Sequence, residues 1–531
     1  MFDYIIIGGG SAGCVLAARL TENPAINVAL LEAGPADKSM LIHCPAGLAV
    51  MAKTGMANWG FETVPQAGLN GRSGYQPRGK VLGGSSAINA MIYTRGHRDD
   101  YDHWAAQGNP GWGYDDVLPY FKKAERNARG ADPFHGADGP LHVMDLSNPN
   151  RYSGVFVQAG VQAGFCENTD FNGAQQEGVG LYQVTHHNGE RCSAAKAYLT
   201  PHLTRANLHI YTGAHTTRLL LERKRAVGVE FYHEGEVKQL KTSREVLLCA
   251  GALQSPQILM LSGIGPHEHL LENGIATLHD LPGVGENLHD HPDVVLVMNA
   301  PQATELLGMS LRGIVRTLKG IFEWRNHRSG ILTTNFAEAG GFIKSQPSEA
   351  IPDLQLHFVV GKLINHGRTT SMGHGYSCHV CLLRPHSRGS VKLESKDPMA
   401  APLIDPNFFG QRDDMDRMIQ GFKHMRNILT QPALAEIGGR ELAASIGAKT
   451  DAQIEHFIRD HADTIYHPVG SCRMGKGTFD VVDAQLRVRG LQGLRVVDAS
   501  IMPRVVGGNT NAPVIMIAEK AADMIKAAQL D

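Results

Sequence analysis

Near its start the chain reads Gly8-Gly9-Gly10-Ser11-Ala12-Gly13, and Glu32 follows about 20 residues later. Residues of these types at this spacing can hold a dinucleotide. Gly8 permits a tight turn, Gly10 lets a pyrophosphate approach the backbone, and Gly13 lets a helix pack closely on a strand. The phosphates then meet the unpaired N–H groups and positive dipole end of that helix, while the Glu32 carboxylate can accept hydrogen bonds from a ribose diol. A second stretch, Gly79-Lys80-Val81-Leu82-Gly83-Gly84-Ser85-Ser86-Ala87-Ile88-Asn89-Ala90, has the run of small residues that lets backbone lie against a flat or anionic ligand; taken alone it reads equally as a surface loop. Histidine chemistry is harder to place by type, because the chain has 26 histidines. His289 and His291 flank Asp290, but no further acid or cysteine stands at ligand spacing, so a metal site is not expected there.

These residues need elements to position them. The apolar run Tyr4-Ile5-Ile6-Ile7 predicts a strand, Cys14 to Leu20 a helix, and Val28-Ala29-Leu30-Leu31 a second strand ending at Glu32. A helix is expected around Asp115 to Glu125. Short apolar runs at 208–211, 218–221, 226–231 and 237–240 predict a small antiparallel meander inserted in the dinucleotide domain. The unbroken run 245–251 suits a strand of the core sheet buried on both faces. Ser255-Pro256 is then expected to open a helix that runs through Leu261 and ends at Ser262-Gly263. A second unit lies between about 295 and 460, with strands at 338–343, 354–359 and 389–393 in an antiparallel sheet and helices near 414–429 and 451–461 on its outer face. The chain returns to the first domain with a strand at 494–498 and a closing helix from Ala512 to Ala528. The fold class expected is α/β: a Rossmann-type domain with a parallel sheet and a β-meander, made of 1–150, 195–295 and 462–531, plus an α+β substrate domain with an antiparallel sheet, made of 151–194 and 296–461.

With 531 residues, two domains are expected, with room for a large cofactor. Fifty basic and 52 acidic residues leave no basic stripe of the kind that recruits nucleic acid, so no nucleic-acid partner is expected. The dinucleotide strand starts at the second residue, which leaves no room for a secretory signal, and eight scattered cysteines fit a reducing compartment; the expectation is a cytoplasmic protein. Cys378 and Cys381 lie in an alternating segment whose period of two puts them on opposite strand faces, which disfavours a metal or redox pair.

Taken together, several stretches resemble the glucose–methanol–choline family of flavin oxidoreductases over essentially the whole length: GGGSAG with Glu32, GKVLGGSSAIN, GALQSPQILMLSGIG from Gly251, LPGVGENLHDH from Leu281, YHPVGSCRMG from Tyr466, and VVDASIMP followed by GNTNAP. The chain is most similar to the bacterial choline-dehydrogenase and alkanol-dehydrogenase branch. The resemblance implies FAD, with Gly8, Gly10, Ser11, Ala12 and Gly13 at the pyrophosphate and Glu32 with Ala33 at the adenosine ribose. Val81, Gly83, Gly84 and Ser85 would follow the ribityl chain, and Asn89, Ala90, Met91 and Ile92 the flavin. Thr216 would meet adenine, Ala250, Gly251, Asp498 and Ala499 the pyrophosphate and ribityl region, and Asn511 with Pro513 the isoalloxazine edge. Some members attach FAD through a histidine in the second glycine loop; Ile88 stands at that position and cannot form the bond, so FAD is expected to be non-covalent.

The resemblance also implies a catalytic pair, His467 and Asn511. A neutral imidazole can take an alcohol's hydroxyl proton, an amide beside it can donate to the developing alkoxide, and hydride passes to flavin N5. Glu338 and Tyr466 are the expected substrate-binding residues, Glu338 as a partner for a cationic alcohol or else as an ordinary paired strand residue. Arg384 and Arg388 read as structural. The activity implied is oxidation of a primary alcohol to an aldehyde with a quinone-like acceptor. An oxidase that reduces O2 to hydrogen peroxide and a non-redox hydroxynitrile lyase are the alternatives. Finally, Leu307, Leu311, Ile314, Val315, Leu318, Ile321 and Phe322 recur at helical spacing, with Arg312, Arg316 and Lys319 mostly on the other side. Two readings stay open: peripheral contact with the inner face of the cell membrane, or a helix that packs its apolar face on the substrate domain, with Gly308, Gly313 and Gly320 weakening it.

Overall fold

The computed structural model describes residues Met1–Ala528. Its first sheet grows from β1 (Phe2–Ile7). The Gly8 turn leads to α1 (Ser11–Leu20), and the chain returns as β2 (Val28–Glu32), buried along its whole length. β3 (Leu208–Thr212), β2, β1 and the C-terminal half of the later strand β6 (Glu236–Leu248) form a parallel ladder, and Leu494–Val496 adds to the far side of β6. The meander is β4 (His215–Glu222), β5 (Arg225–His233) and the N-terminal half of β6.

Two sequence expectations change here. Leu208–Thr212 belongs to the parallel sheet and not to the meander, pairing in register with Val28–Glu32. The runs 237–240 and 245–251 are not separate strands: β6 is one 13-residue strand that pairs antiparallel with β5 up to Lys241 and parallel with β1 from Thr242. Its outer half is polar and half-exposed and its inner half, Val246–Leu248, is buried. That change of environment along one strand reads in sequence as a break.

Helix α2 (Gly251–Leu261) starts earlier than expected and has Pro256 inside it. A proline there has no N–H for the carbonyl four residues back. That carbonyl, of Ala252, instead accepts from the Ser471 hydroxyl at 2.5 Å. With its partner supplied from the YHPVGS loop, the helix can begin at Gly251.

The second sheet is antiparallel throughout: β7 (Pro292–Asn299), β8 (Ala337–Ile343), β9 (Leu354–Val359) and β10 (Gly373–Leu382), ordered β7-β10-β9-β8, with Gly178–Leu181 on the edge of β8. The run near 389–393 lies elsewhere, in a small three-stranded sheet. Leu354, Leu356, Phe358, Cys378 and Val380 share a core with the helix Arg412–Leu429, whereas Cys381 joins Phe342 and Leu383 in another cluster, so the two cysteines of β10 face opposite ways. A larger core gathers β1, β2, α1 and the closing helix Asn511–Ala527.

Helix α3 (Leu311–His327) departs furthest from expectation. Only Gly313, Gly320 and Trp324 on it are buried, while Leu311, Val315, Leu318 and Phe322 are between half and almost fully exposed. The glycines are its contact face: a Cβ on Gly320 would meet Ile331 at 2.8 Å and one on Gly313 the Gly308 carbonyl at 2.1 Å. Of the two readings left open, the one in which the apolar face packs on the substrate domain does not hold.

Candidate active site

Where the parallel sheet ends, two glycine-rich turns come into contact. The Gly8 N–H donates to Leu31, and the Gly83 N–H to the Gly9 carbonyl at 2.7 Å. A Cβ on Gly13 would fall 1.9 Å from the Gly8 carbonyl and one on Gly84 2.7 Å from Gly10 Cα, so both positions require glycine. α1 has no side-chain cap at its N-terminus, and the N-cap residue of α2, Ala250, supplies none. Both N-termini open into one cavity of about 960 Å³ that runs from the sheet edge to the antiparallel sheet.

Gly8, Gly10, Ser11, Ala12, Glu32 and Ala33 line this cavity, as do Gly84, Ser85, Asn89, Ala90, Met91 and Ile92. Thr216, Ala250, Gly251, Asp498, Ala499 and Asn511 line it too, whereas Gly13, Val81, Gly83 and Pro513 stand behind the lining. Glu32 accepts from the Gly9 and Gly34 N–H groups at 2.9 and 2.8 Å, leaving a lone pair on each oxygen. Burial raises its pKa to about 7 against those bonds. Asp498 accepts from the Gly251 N–H and the Ser255 and Ser500 hydroxyls, which fixes the start of α2. Asn89 is clamped by Arg191, which reaches its carbonyl and side-chain oxygens at 2.6 and 2.8 Å. The uncapped N-terminus of α1, a glycine cradle and the unpartnered Thr216 hydroxyl fit a dinucleotide such as FAD. Ile88 also lines this cavity.

At the other end lies His467, buried, with its pKa driven well below the ordinary histidine value by burial and then by the nearby His291, His357 and Arg78. It is held on three sides. Its backbone N–H donates to Asp290 at 2.8 Å, its Nδ1 is 3.0 Å from His291 Nδ1, and its Nε2 is 3.3 Å from Asn509 Nδ2. Asn509 Oδ1 accepts from Thr94 and from Gln355, both at 3.1 Å, which turns its NH2 toward His467. His467 Nε2 is then the acceptor, and Nδ1 carries the proton and donates to His291. Asp290 accepts in addition from Gln76 and Thr464. The His289–Asp290–His291 loop is thus the cradle of His467.

The structure brings Asn509, and not Asn511, to His467. Asn511 accepts from the Ser11 hydroxyl at 2.7 Å and ties the closing helix to α1. Glu338 is likewise not at the cavity: it is 1% exposed and accepts from the Asn150 N–H, Ser153 and Thr334, all at 2.7 Å or less. Its strand fills the core, so the carboxylate is consumed locally. Tyr466 does line the cavity, with a left-handed φ of 76°. Arg78 holds its carbonyl, Thr464 its N–H, and His366 its hydroxyl at 2.5 Å, and together they maintain a conformation that costs about 1–2 kcal/mol in a non-glycine residue.

Sequence reasoning missed His291 as a partner of His467, and His357, which lines the cavity with neither ring nitrogen paired. Burial lowers the pKa of His291 to about 4 and that of His357 to about 3, so both are neutral near pH 7. Arg384 pairs with Asp100, and Arg388 donates to Asn287, both away from the cavity lining.

The GMC oxidoreductase family matches the chain twice, over residues 2–293 and 385–518. An alcohol dehydrogenase [acceptor] of Pseudomonas putida is 50% identical over 99% of this chain and 96% of its own length. The mitochondrial choline dehydrogenase of Homo sapiens is 45% identical over 99% and 90%. Among solved structures, pyridoxine 4-oxidase from Mesorbium loti superposes with TM-score 0.88 at 32% identity over 99% of both chains, and formate oxidase with TM-score 0.92 at 27% identity over 100% of this chain and 99% of that one. Sequence, fold and cavity agree: the chain belongs to the GMC oxidoreductase family and is an FAD-dependent enzyme that acts on CH–OH donors.

Proposed function

We propose that the enzyme oxidises a neutral primary alcohol to the aldehyde, with His467 as general base and Asn509 beside it. The observation that carries this reading is the His467–Asn509 contact inside the cavity. An alcohol hydroxyl seated there can donate to Nε2 and accept from the Asn509 amide. His467 removes the proton, and the amide stabilises the charge that develops on oxygen in a site shielded from water. His291 accepts the hydrogen bond from the Nδ1–H of His467 and so fixes the tautomer. FAD, held between the glycine turns, supplies the acceptor for the hydride from the alcohol carbon. With an aliphatic side chain at Ile88, the FAD is bound without a covalent link.

Charge distribution favours a neutral substrate over choline. Among the described residues the only carboxylates lining the cavity are Glu32 and Asp498, both engaged at the dinucleotide end. Two of the cavity's aromatic faces already carry the protein's own cations, Arg368 over Tyr75 at 4.0 Å and Lys80 over Trp59 at 4.2 Å. Lys362, which lines the cavity, adds positive charge.

Electrons pass to an acceptor other than O2, in line with the Pseudomonas putida relative. Oxidase chemistry is the second reading, favoured by the pyridoxine 4-oxidase and formate oxidase neighbours. Assaying aldehyde and hydrogen peroxide together in air separates the two: little peroxide without added acceptor supports the dehydrogenase, and one peroxide per aldehyde overturns it.

A further inference from the structure

Helix α3 presents an apolar stripe to solvent. Leu311 is 85% exposed, Leu318 61% and Phe322 71%, and Ile314, Val315 and Ile321 continue the same face. Met309 and Met372, joined by a β-bridge at the start of the helix, extend it. Isolated exposed apolar residues are ordinary, but a contiguous stripe this long on one helix is a contact surface.

Its charge names the occupant. The helix carries Arg312, Arg316, Lys319 and Arg325 against the single carboxylate of Glu323. Among the described residues none of Arg312, Lys319 and Arg325 is in an ion pair, whereas Arg316 donates to the Thr304 and Glu305 carbonyls. An apolar face flanked by unpaired cations matches an anionic bilayer, where the side chains enter the acyl boundary and the cations stay among the headgroups. A second copy of the chain would set these cations against one another.

The same surface surrounds the cavity mouth. Met40, Val50, Met309 and Ile321 each line the cavity and are also exposed, so they mark its rim, and two of them lie on α3 or immediately before it. We propose that α3 docks on an anionic lipid bilayer and holds the mouth of the active-site cavity against the acyl region, so that a lipid-soluble reactant enters without crossing water. No helix among the described residues is long and apolar enough to cross a membrane, so the docking is peripheral. It rests on this surface and not on the proposed catalytic chemistry.

Co-sedimentation of the FAD-loaded enzyme with phosphatidylglycerol–phosphatidylcholine vesicles tests it by a readout independent of turnover. The wild type should pellet at low salt, less at high salt, and weakly with phosphatidylcholine alone. The double variant Leu318→Ser/Phe322→Ser should bind on the order of a hundredfold more weakly, having lost two large apolar insertions, while oxidising alcohol at the wild-type rate with a water-soluble acceptor. Arg312→Gln/Lys319→Gln should lose the preference for anionic vesicles. A wild type that stays in the supernatant at low salt overturns the proposal, as does a serine variant that binds like the wild type. So does sedimentation velocity showing a dimer that the serine variant dissociates, since the face would then belong to a second copy.

Discussion

The Nδ1 atoms of His467 and His291 lie 3.0 Å apart, both rings are buried, and the Asp290 carboxylate next to them bonds the His467 backbone N–H and not either ring. A proton lies between those atoms only if at least one ring is neutral at Nδ1. Burial and the neighbouring histidines keep His467 in that state, with its Nε2 lone pair turned to the Asn509 amide and open to exchange that partner for a substrate hydroxyl.

Replacing His467 by Ala should leave FAD bound but slow its anaerobic reduction by alcohol by on the order of a hundredfold or more. Stopped-flow absorbance of the flavin measures this. Reduction at the wild-type rate would remove His467 from the mechanism.

The pH dependence follows from the direction of the shift. A base whose pKa is held well below 6.5 is already neutral at pH 7, so the reduction rate should be level from about pH 6.5 upward and fall only in acid. In His291→Ala the largest charge neighbour is gone, and the fall should begin at higher pH with a rate about tenfold lower. An unchanged profile would make His291 merely structural. The same histidines link stability to pH: they are held neutral in the fold but bind protons when unfolded, so the melting temperature should drop as pH falls below about 6.5.

Asn509→Ala and Asn511→Ala separate two neighbouring amides. The first should cost about a hundredfold in flavin reduction with FAD retained, the scale of one lost donor to a developing oxyanion. The second should mainly loosen the link between Ser11 and the closing helix, seen as easier loss of FAD on dialysis. The opposite pattern would restore Asn511 to the catalytic pair.

How much of this was legible depended on how local the cause was. Strand, glycine turn, helix and Glu32 lie within one short stretch, and all were readable because each residue's role is set by its immediate neighbours. Asn509 and Asn511 differ only in what reaches them, Thr94 and Gln355 in one case and Ser11 in the other, and no local pattern carries that. Pro256 read as a helix start because the hydroxyl that replaces its missing bond comes from Ser471, far along the chain. The periodicity of α3 gave its apolar face, but not which face the protein would cover. Glu338 read as a possible substrate partner because its three donors come from other elements.

Ile88 carries a simple consequence. Acid precipitation should release the flavin into the supernatant as free FAD, measured by its absorbance and fluorescence. Flavin left in the pellet would show a covalent link at another residue.

The central claim is that this cavity oxidises a neutral alcohol through His467 and Asn509. Anaerobic mixing of the FAD-loaded enzyme with a panel of primary alkanols, benzyl alcohol and choline, followed at the flavin absorbance band, tests it most directly. The account expects fast bleaching by neutral primary alcohols and at least about tenfold slower bleaching by choline, the scale of an unpaired charge entering a site without a carboxylate. Bleaching by choline ahead of every neutral alcohol, or by none of the panel, would contradict it.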